Sequence, residues 1–348
     1  MFQGSSGDFD IQKGHINGYG YNVITAGLTE NGILGKTDID AKLFDEKTIT
    51  IDMFGNAFFR QFKYKLVTHA RVFSLKAKFE VSANQGLFLA SAFHFLNKQF
   101  SYENMCTWTK IRLEKIQLPT KNGNIDFAFM EAFIAELEAQ RIAELEAYLL
   151  TTGLKDYTLT EAEKQALVSF ESLEFKKFNV IDVFNVKNTK NILSRDIVEN
   201  SGNTPYLCAS AENNAISSYI SYDTNYLDKG HCIFIGGKTF VVTYQENDFY
   251  SNDSHNLVLS LKKEQEASKS NYLYLATCIY RSLSHQYSWG NSISNKKIQT
   301  DKVALPTKNN QPDYSTMQTL ISAIQKLVIK DVVQYADRKI EATKQVVG

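Results

Sequence analysis

The sequence predicts an α+β protein: two pseudo-repeated β-rich modules joined by two long helices that pair as an antiparallel coiled coil. Three observations predict it. LPTKNGNIDFAFM (118–130) returns as LPTKNNQPDYSTM (305–317), 187 positions later. Each copy stands directly ahead of a stretch with helical periodicity. Upstream of each copy, strand-patterned segments recur in matching order, as in a chain built from a duplicated unit.

The parallels extend over both modules. NVITAGLTENGILG (22–35) matches PYLCASAENNAISS (205–218), and GNAFF (55–59) matches GKTF (237–240). HARVFSL (69–75) matches HNLVLSL (255–261), and NMCTWTKIRLEKIQLP (104–119) matches NSISNKKIQTDKVALP (291–306). The offset drifts between 182 and 187, so the copies differ by loop-length changes. TITIDMF, ARVFSLKAKFEV, HCIFIGGKTFVVTY and HNLVLSL read as strands from their β-branched and aromatic content. TENGILG, NDFYSND and SWGNS read as turns. GLFLASAFHFL and NYLYLATCIYRSL are the mid-module helical pieces.

Met1–Gly7, MFQGSSG, reads as an appendage and is left out of the first module. The modules are then expected at 8–120 and 174–306, with a helical spacer at 121–173 and a C-terminal helix at 307–348. On that division the first module is about sixteen residues shorter at its start than the second, and its opening strand is expected to be missing or supplied elsewhere.

Each module ends in a long helix. Met130, Phe133, Ile134, Ile142, Leu145 and Leu149 recur at three- and four-residue steps, as do Met317, Leu320, Ile321, Ile324, Leu327, Val328, Val332 and Tyr335. Asn124 or Asp126 can cap the first helix, and Pro312 suits the first turn of the second. Thr160 with Glu163 forms a capping box for a shorter helix, LTEAEKQALVSF. Two apolar stripes at equivalent ends of a repeat most simply pack on each other.

Formal net charge is zero, but it is unevenly spread. Residues 126–174 carry eleven acidic and three basic side chains, which leaves the two modules mildly basic. That distribution suits modular contact with an anionic partner. No run of eighteen apolar residues exists, so no membrane partner is expected and the chain reads as cytoplasmic. Cys106, Cys208, Cys232 and Cys278 share no CxxC spacing and read as reduced, packed thiols. The six histidines are too scattered for a metal site, and none is expected. IFIGGKTF lacks the leading glycine of a phosphate-binding loop and runs on into a strand-like FVVTY. No catalytic constellation remains to nominate.

AGLTENGI and ASAENNAI, the glycine loops at Gly55 and Gly236–Gly237, and the LP-to-helix junction together resemble the specificity subunits of type I restriction–modification systems. The similar specificity subunits of type IIB systems fit equally well. The resemblance spans nearly the whole chain from Asp8. It implies two target-recognition domains and a non-catalytic subunit that reads an asymmetric, bipartite double-stranded DNA target. It also implies two methyltransferase subunits per chain, which carry S-adenosylmethionine and the catalysis, and a restriction/translocase subunit or a fused nuclease. No cofactor is expected on this chain.

Base readout needs donors and acceptors on loops, with cations on phosphates to hold register. Glu30 and Asn31, and Glu212, Asn213 and Asn214, sit in matching polar loops that also suit simple turn chemistry. Lys238 and Thr239 follow the paired glycines, with Asn56 and Arg60 in the related place. Tyr102, Trp108, Lys110 and Arg112, and their counterparts Tyr287, Trp289, Lys296 and Lys297, mix cations with aromatics in a way that suits phosphate contact. An exposed turn with a packed tryptophan would look the same. The alternative function is a non-DNA-binding scaffold or adaptor that uses the paired helices for protein assembly; such a protein would show no steep loss of affinity for duplex DNA with salt.

Overall fold

The computed structural model describes residues 1–12 and 14–347, with side chains as far as Ala342 at the C-terminal end. The chain divides into two units, one of residues 1–147 with the chain from Lys339 onward, the other Tyr148–Arg338.

In the first unit, β1 (Phe2–Ser6), β2 (Tyr21–Ile24), β3 (Ile33–Thr37), β4 (Thr48–Ile51), β5 (Ala57–Arg60), β6 (Tyr64–Leu66) and β7 (Phe73–Ala77) form two sheets, ordered β1-β7-β4-β5 and β3-β2-β6. Helix α1 (Ala83–Ser91) packs on the first sheet, where Gly86 allows the Phe59 ring to approach its backbone. A short α2 (Trp108–Ile111) and the hairpin β8 (Thr120–Lys121) and β9 (Asn124–Ile125) lead into α3 (Phe127–Thr151).

The second unit begins with α4 (Glu161–Val168), β10 (Phe175–Asn179) and α5 (Val180–Val183). It continues with β11 (Phe184–Asn188), β12 (Thr204–Leu207), β13 (Ile216–Ile220), β14 (Cys232–Ile235), β15 (Val242–Gln245), β16 (Tyr250–Ser251) and β17 (Leu257–Leu261). Then come α6 (Lys269–Leu283), α7 (Asn295–Ile298), β18 (Lys302–Lys308), β19 (Gln311–Pro312) and α8 (Tyr314–Val347). Its sheets are β11-β17-β14-β15, β13-β12-β16 and β10-β18-β19.

The repeat read from sequence is thus a repeat in space. Both modules hold a four-stranded antiparallel sheet and a three-stranded sheet whose middle strand pairs antiparallel on one side and parallel on the other. Both even break register at the same place, Val23/Ile24 and Tyr206/Leu207.

MFQGSSG is not an appendage. Phe2–Ser6 is β1, paired with Ala77–Phe73 as Phe184–Asn188 pairs with Leu261–Leu257. Its Gly/Ser composition resembles a linker, but Phe2 packs edge-on against Phe93 at 5.5 Å, and Gly4 leaves the space that the Trp108 indole fills. β1 is thus the counterpart of β11, and the segments from β1 to β2 and from β11 to β12 are of similar length, whereas β10, which opens the second module, has no counterpart strand among the described residues of the first. HCIFIGGKTFVVTY is a hairpin, β14 and β15, rather than one strand, because Gly236–Val241 turns the chain.

Each long helix is anchored to its own module by a fully buried methionine, Met130 or Met317. Asp126 caps α3 by accepting from the Phe129 amide at 2.9 Å. Asp313 caps α8 through the Thr316 amide at 3.1 Å, so Pro312 stands in β19 outside the helix and Asn124 stands in β9. The expected Thr160–Glu163 capping box is present. Within the first unit Lys339 pairs with Glu138 at 3.3 Å. Within the second, Lys155, just past α3, pairs with Asp337 at 2.5 Å. No helix among the described residues is long and apolar enough to cross a membrane.

Candidate nucleic-acid interface

Antiparallel strands joined by short connections bring their tips to one end of a sheet, and each module uses this to gather three separate segments. The first is the turn before β3 or β13. Glu30, Asn31 and Gly32 all have positive φ (48°, 52° and 74°), as do Asn213, Asn214 and Ala215 (47°, 52° and 67°). Left-handed backbone costs an L-residue about 1–2 kcal/mol, least for asparagine. Each turn is held by its neighbours. The Thr25 amide donates to the Gly32 carbonyl at 2.8 Å, and the Cys208 amide to the Ala215 carbonyl at 2.9 Å.

A buried side chain on the adjacent strand finishes each turn. Arg60, 2% exposed, donates from Nη2 to the Asn31 carbonyl at 2.7 Å and from Nε to Thr50 Oγ1 at 2.8 Å. Gln245, 3% exposed, donates to the Asn214 carbonyl and to Thr243 Oγ1, both at 2.9 Å. Burial lowers the Arg60 guanidinium to about 10, still charged at neutral pH. As it stands, Arg60 is thus out of a duplex's reach and acts by shaping the turn that carries Glu30 and Asn31.

The second segment is the β4–β5 or β14–β15 hairpin tip. In the first module Asp52, 3% exposed, accepts from the amides of Gly27, Phe54 and Asn56 and from the Asn56 side chain, at 2.9–3.0 Å. One carboxylate thereby ties the hairpin to the first turn and occupies Asn56. In the second module Gly236 takes that place, with Ala209 so near that a Cβ would collide. Asn256 Oδ1 accepts from the Gly237 amide at 2.9 Å. Lys238 and Thr239 project from this tip into solvent. Lys238 meets Asp253 at 3.2 Å. Burial would raise the Asp253 carboxyl, but His255 and Lys238 outweigh it and hold it below the usual carboxylate range.

The third segment carries the aromatic and basic residues. It docks on the hairpin through one backbone bond in each module, Cys106 N–H to the Met53 carbonyl at 2.7 Å and Ile293 N–H to the Gly237 carbonyl at 3.0 Å. Lys110 donates to Asn104 Oδ1 and the Met105 carbonyl; 187 positions on, Lys297 donates to Asn291 Oδ1 and the Ser292 carbonyl, all at 2.7–2.8 Å. Each ammonium also lies 5.8 Å from a ring centre, Phe100 or Tyr287. These lysines fasten their loops while keeping their charge at the surface.

Tyr287 is 7% exposed and donates to Asp301 Oδ2 at 2.6 Å. Trp108 is half-buried against β1. Both are largely withdrawn from solvent. Tyr102 and Trp289 instead stand in solvent, at 71% and 74% exposed, and they too are 187 positions apart. Arg112 and Lys296 are exposed and form no ion pair among the described residues. Sequence reasoning missed Asp52, Gln245, Asn256, Asn104 and Asn291. Only the recurrence of Asn104 and Asn291 at the 187-residue offset signalled any of them.

Three of the four thiols are shielded from reaction. Cys106, Cys232 and Cys278 are buried, which pushes each up to about 12. Among the described residues no group of three or more acidic, histidine or cysteine side chains could hold a metal ion.

Two like modules, each presenting a braced polar tip with an exposed aromatic and cations, form the candidate interface. The family model described as "Type I restriction modification DNA specificity domain" matches residues 1–147 and 173–335, and the chain belongs to that family. It is similar to the specificity subunit of a type II restriction enzyme from Heyndrickxia coagulans, 22% identical over 327 residues that cover 92% of this chain and 90% of that one. In fold it is similar to the crystal structure of a type I restriction–modification S subunit from M. genitalium. That match has a TM-score of 0.59 and 14% identity, covering 99% of this chain and 91% of the other. The chain is a specificity subunit of a restriction–modification system, a non-catalytic part of such a complex.

Proposed function

We propose that the two convergent tips each read one half of a split double-stranded DNA target, and that divergence between the modules makes the target asymmetric. The observation that carries this reading is the pair Tyr102 and Trp289, two large aromatics left in solvent at equivalent positions beside exposed cations. Aromatic rings beside cations in such loops suit shape and phosphate contact with nucleic acid. Glu30, Asn31, Glu212, Asn213 and Asn214 face base edges; Lys110, Arg112, Lys238, Thr239, Lys296 and Lys297 hold phosphates. Arg60, Asn56, Trp108 and Tyr287 support the tips from within. The recognition modules run from β1 to about residue 120 and over 174–306. Helices α3 and α8 pair antiparallel as a coiled coil, and the complex works in the cytoplasm.

The DNA is read on behalf of methyltransferase subunits, two per chain, which bring S-adenosylmethionine and the catalysis. A restriction/translocase subunit or a nuclease fused to the methyltransferase completes the complex. The test is to co-express the chain with its methyltransferase subunit in a methylation-free host and map modified bases by long-read sequencing. A split asymmetric motif that vanishes when this chain is omitted is the expected result. A stable complex that leaves no such motif would contradict the reading.

A further inference from the structure

Asparagine carries an acceptor oxygen and an amino group, so a free asparagine answers either a donor or an acceptor on a base edge. In the turn before β13 that choice is removed. Asn213 Nδ2 donates to the Ile216 carbonyl at 3.0 Å, and Asn214 Nδ2 donates to the Tyr244 carbonyl at 3.0 Å. A carbonyl only accepts, so flipping either amide would set oxygen against oxygen and lose the bond. Both side chains are exposed, and each is held with Oδ1 as the atom that has no partner among the described residues. Glu212, exposed beside them, has only acceptor oxygens when ionised.

The carbonyls of this turn are already engaged. Glu212 accepts from the Ala215 amide at 2.9 Å and Ala215 from the Cys208 amide at 2.9 Å. Asn213 accepts from the Ile216 amide, and Asn214 from Gln245 at 2.9 Å. Discrimination by acceptors therefore falls to three side chains, and all three lead with oxygen. The first module differs here. Asn31, which holds the place of Asn214, makes no side-chain hydrogen bond among the described residues, so its amide turns freely.

We propose that Glu212, Asn213 and Asn214 read an exocyclic amino group in the major groove, N6 of adenine or N4 of cytosine, through their acceptor oxygens. This rests on the DNA-reading function proposed above and narrows it for one half-site. In the major groove only those two groups donate; guanine shows N7 and O6 there, and thymine O4, all of them acceptors. Three oxygen-led side chains, one of them charged, attract an amino group and repel a keto oxygen in the same place. Because the amides are held before any duplex arrives, a wrong base meets unpaired oxygens rather than a side chain that flips to suit it. The second half-site is accordingly strict at that base pair, whereas the freely turning amide of Asn31 admits more than one base at the matching place in the first.

Competition binding by the chain co-purified with its methyltransferase subunit tests this, on duplexes of the mapped motif with one base replaced at a time. Purine in place of adenine, or 2-pyrimidinone in place of cytosine, deletes one amino group; 7-deazaadenine and 7-deazaguanine delete N7 alone. At one base pair of the second half-site, loss of the amino group weakens binding about tenfold or more, while loss of N7 changes it less than about twofold. Glu212→Gln, an isosteric exchange at an exposed position, puts an amino group where an acceptor stood. It widens the methylated motif at that base pair or its neighbour to admit guanine or thymine, and leaves the first half-site as it was. Equal or greater sensitivity to loss of N7 throughout the second half-site overturns the inference and leaves the function intact, as does an unchanged motif in Glu212→Gln. A complex that forms and directs no methylated motif overturns the function and this inference together.

Discussion

Arg60 and Gln245 do one job with different chemistry. Each reaches under a left-handed turn and caps its carbonyl, so the polar tips at Glu30–Asn31 and Asn213–Asn214 are rigid before any duplex arrives. Removing such a donor strands a buried carbonyl, and the loss is larger when the donor is charged. Arg60→Ala should therefore cost roughly 2–3 kcal/mol and Gln245→Ala about 1–2 kcal/mol in urea unfolding. Each should relax base preference at its own half-site only, read as altered methylation motifs. Tyr102→Ala and Trp289→Ala should leave stability within about 0.5 kcal/mol, as exposed positions do, yet weaken DNA binding on the order of tenfold. Equal loss of folding stability would instead mark these rings as structural. The thiols give a third expectation at this scale. Native alkylation should modify Cys208 alone, because it is half-buried and the other three are buried; intact mass should show one adduct folded and four unfolded.

Among the elements, α4 and α8 are joined by a carboxylate that burial alone would raise. Ser322, the Thr160 amide and Lys326 outweigh that and hold Glu163 down at about 2, against an ordinary 4.5. A carboxyl whose folded value lies below its unfolded one stabilises the fold above the unfolded value and loses that contribution as pH falls. The α4–α8 contact is thus fully supported above pH 4.5 and fades between there and about 2. Glu163→Gln should flatten the acid limb of unfolding across that window in a tryptophan- or circular-dichroism-detected titration, while the wild type steepens there. The long helices themselves begin with aspartate caps at equivalent positions, Asp126 and Asp313. Capping aspartates contribute about 1 kcal/mol each.

Over the whole molecule, net charge is zero, so affinity for DNA depends on where the cations stand rather than how many there are. Each phosphate contact adds about 0.9 to the slope of log affinity against log salt. Lys296→Ala should lower that slope by about one in a fluorescence-anisotropy series. Lys238→Ala should lower it by less, since Asp253 already shares that charge. A salt-independent affinity would instead favour the scaffold alternative. Exchanging residues 174–306 for the matching module of another subunit should change one half of the methylated motif and leave the other half and the spacer unaltered.

The sequence by itself determined the duplication and the order of strand-rich module and helix, and its motifs carried the resemblance to the family. The first two follow from local pattern: a 187-residue offset and three- and four-residue apolar steps. Tyr102 and Trp289 were legible as candidates, but their equivalence and exposure were not. Only tertiary structure decided which polar residues face solvent, since Arg60 and Tyr287 look like surface groups until packing buries them. It also showed MFQGSSG to be β1, because a glycine- and serine-rich stretch gains its strand character from its partner β7 and from the Trp108 ring rather than from its own propensity. Residues 115–119 form no strand where their counterparts 302–306 do, because only the second stretch has β10 beside it.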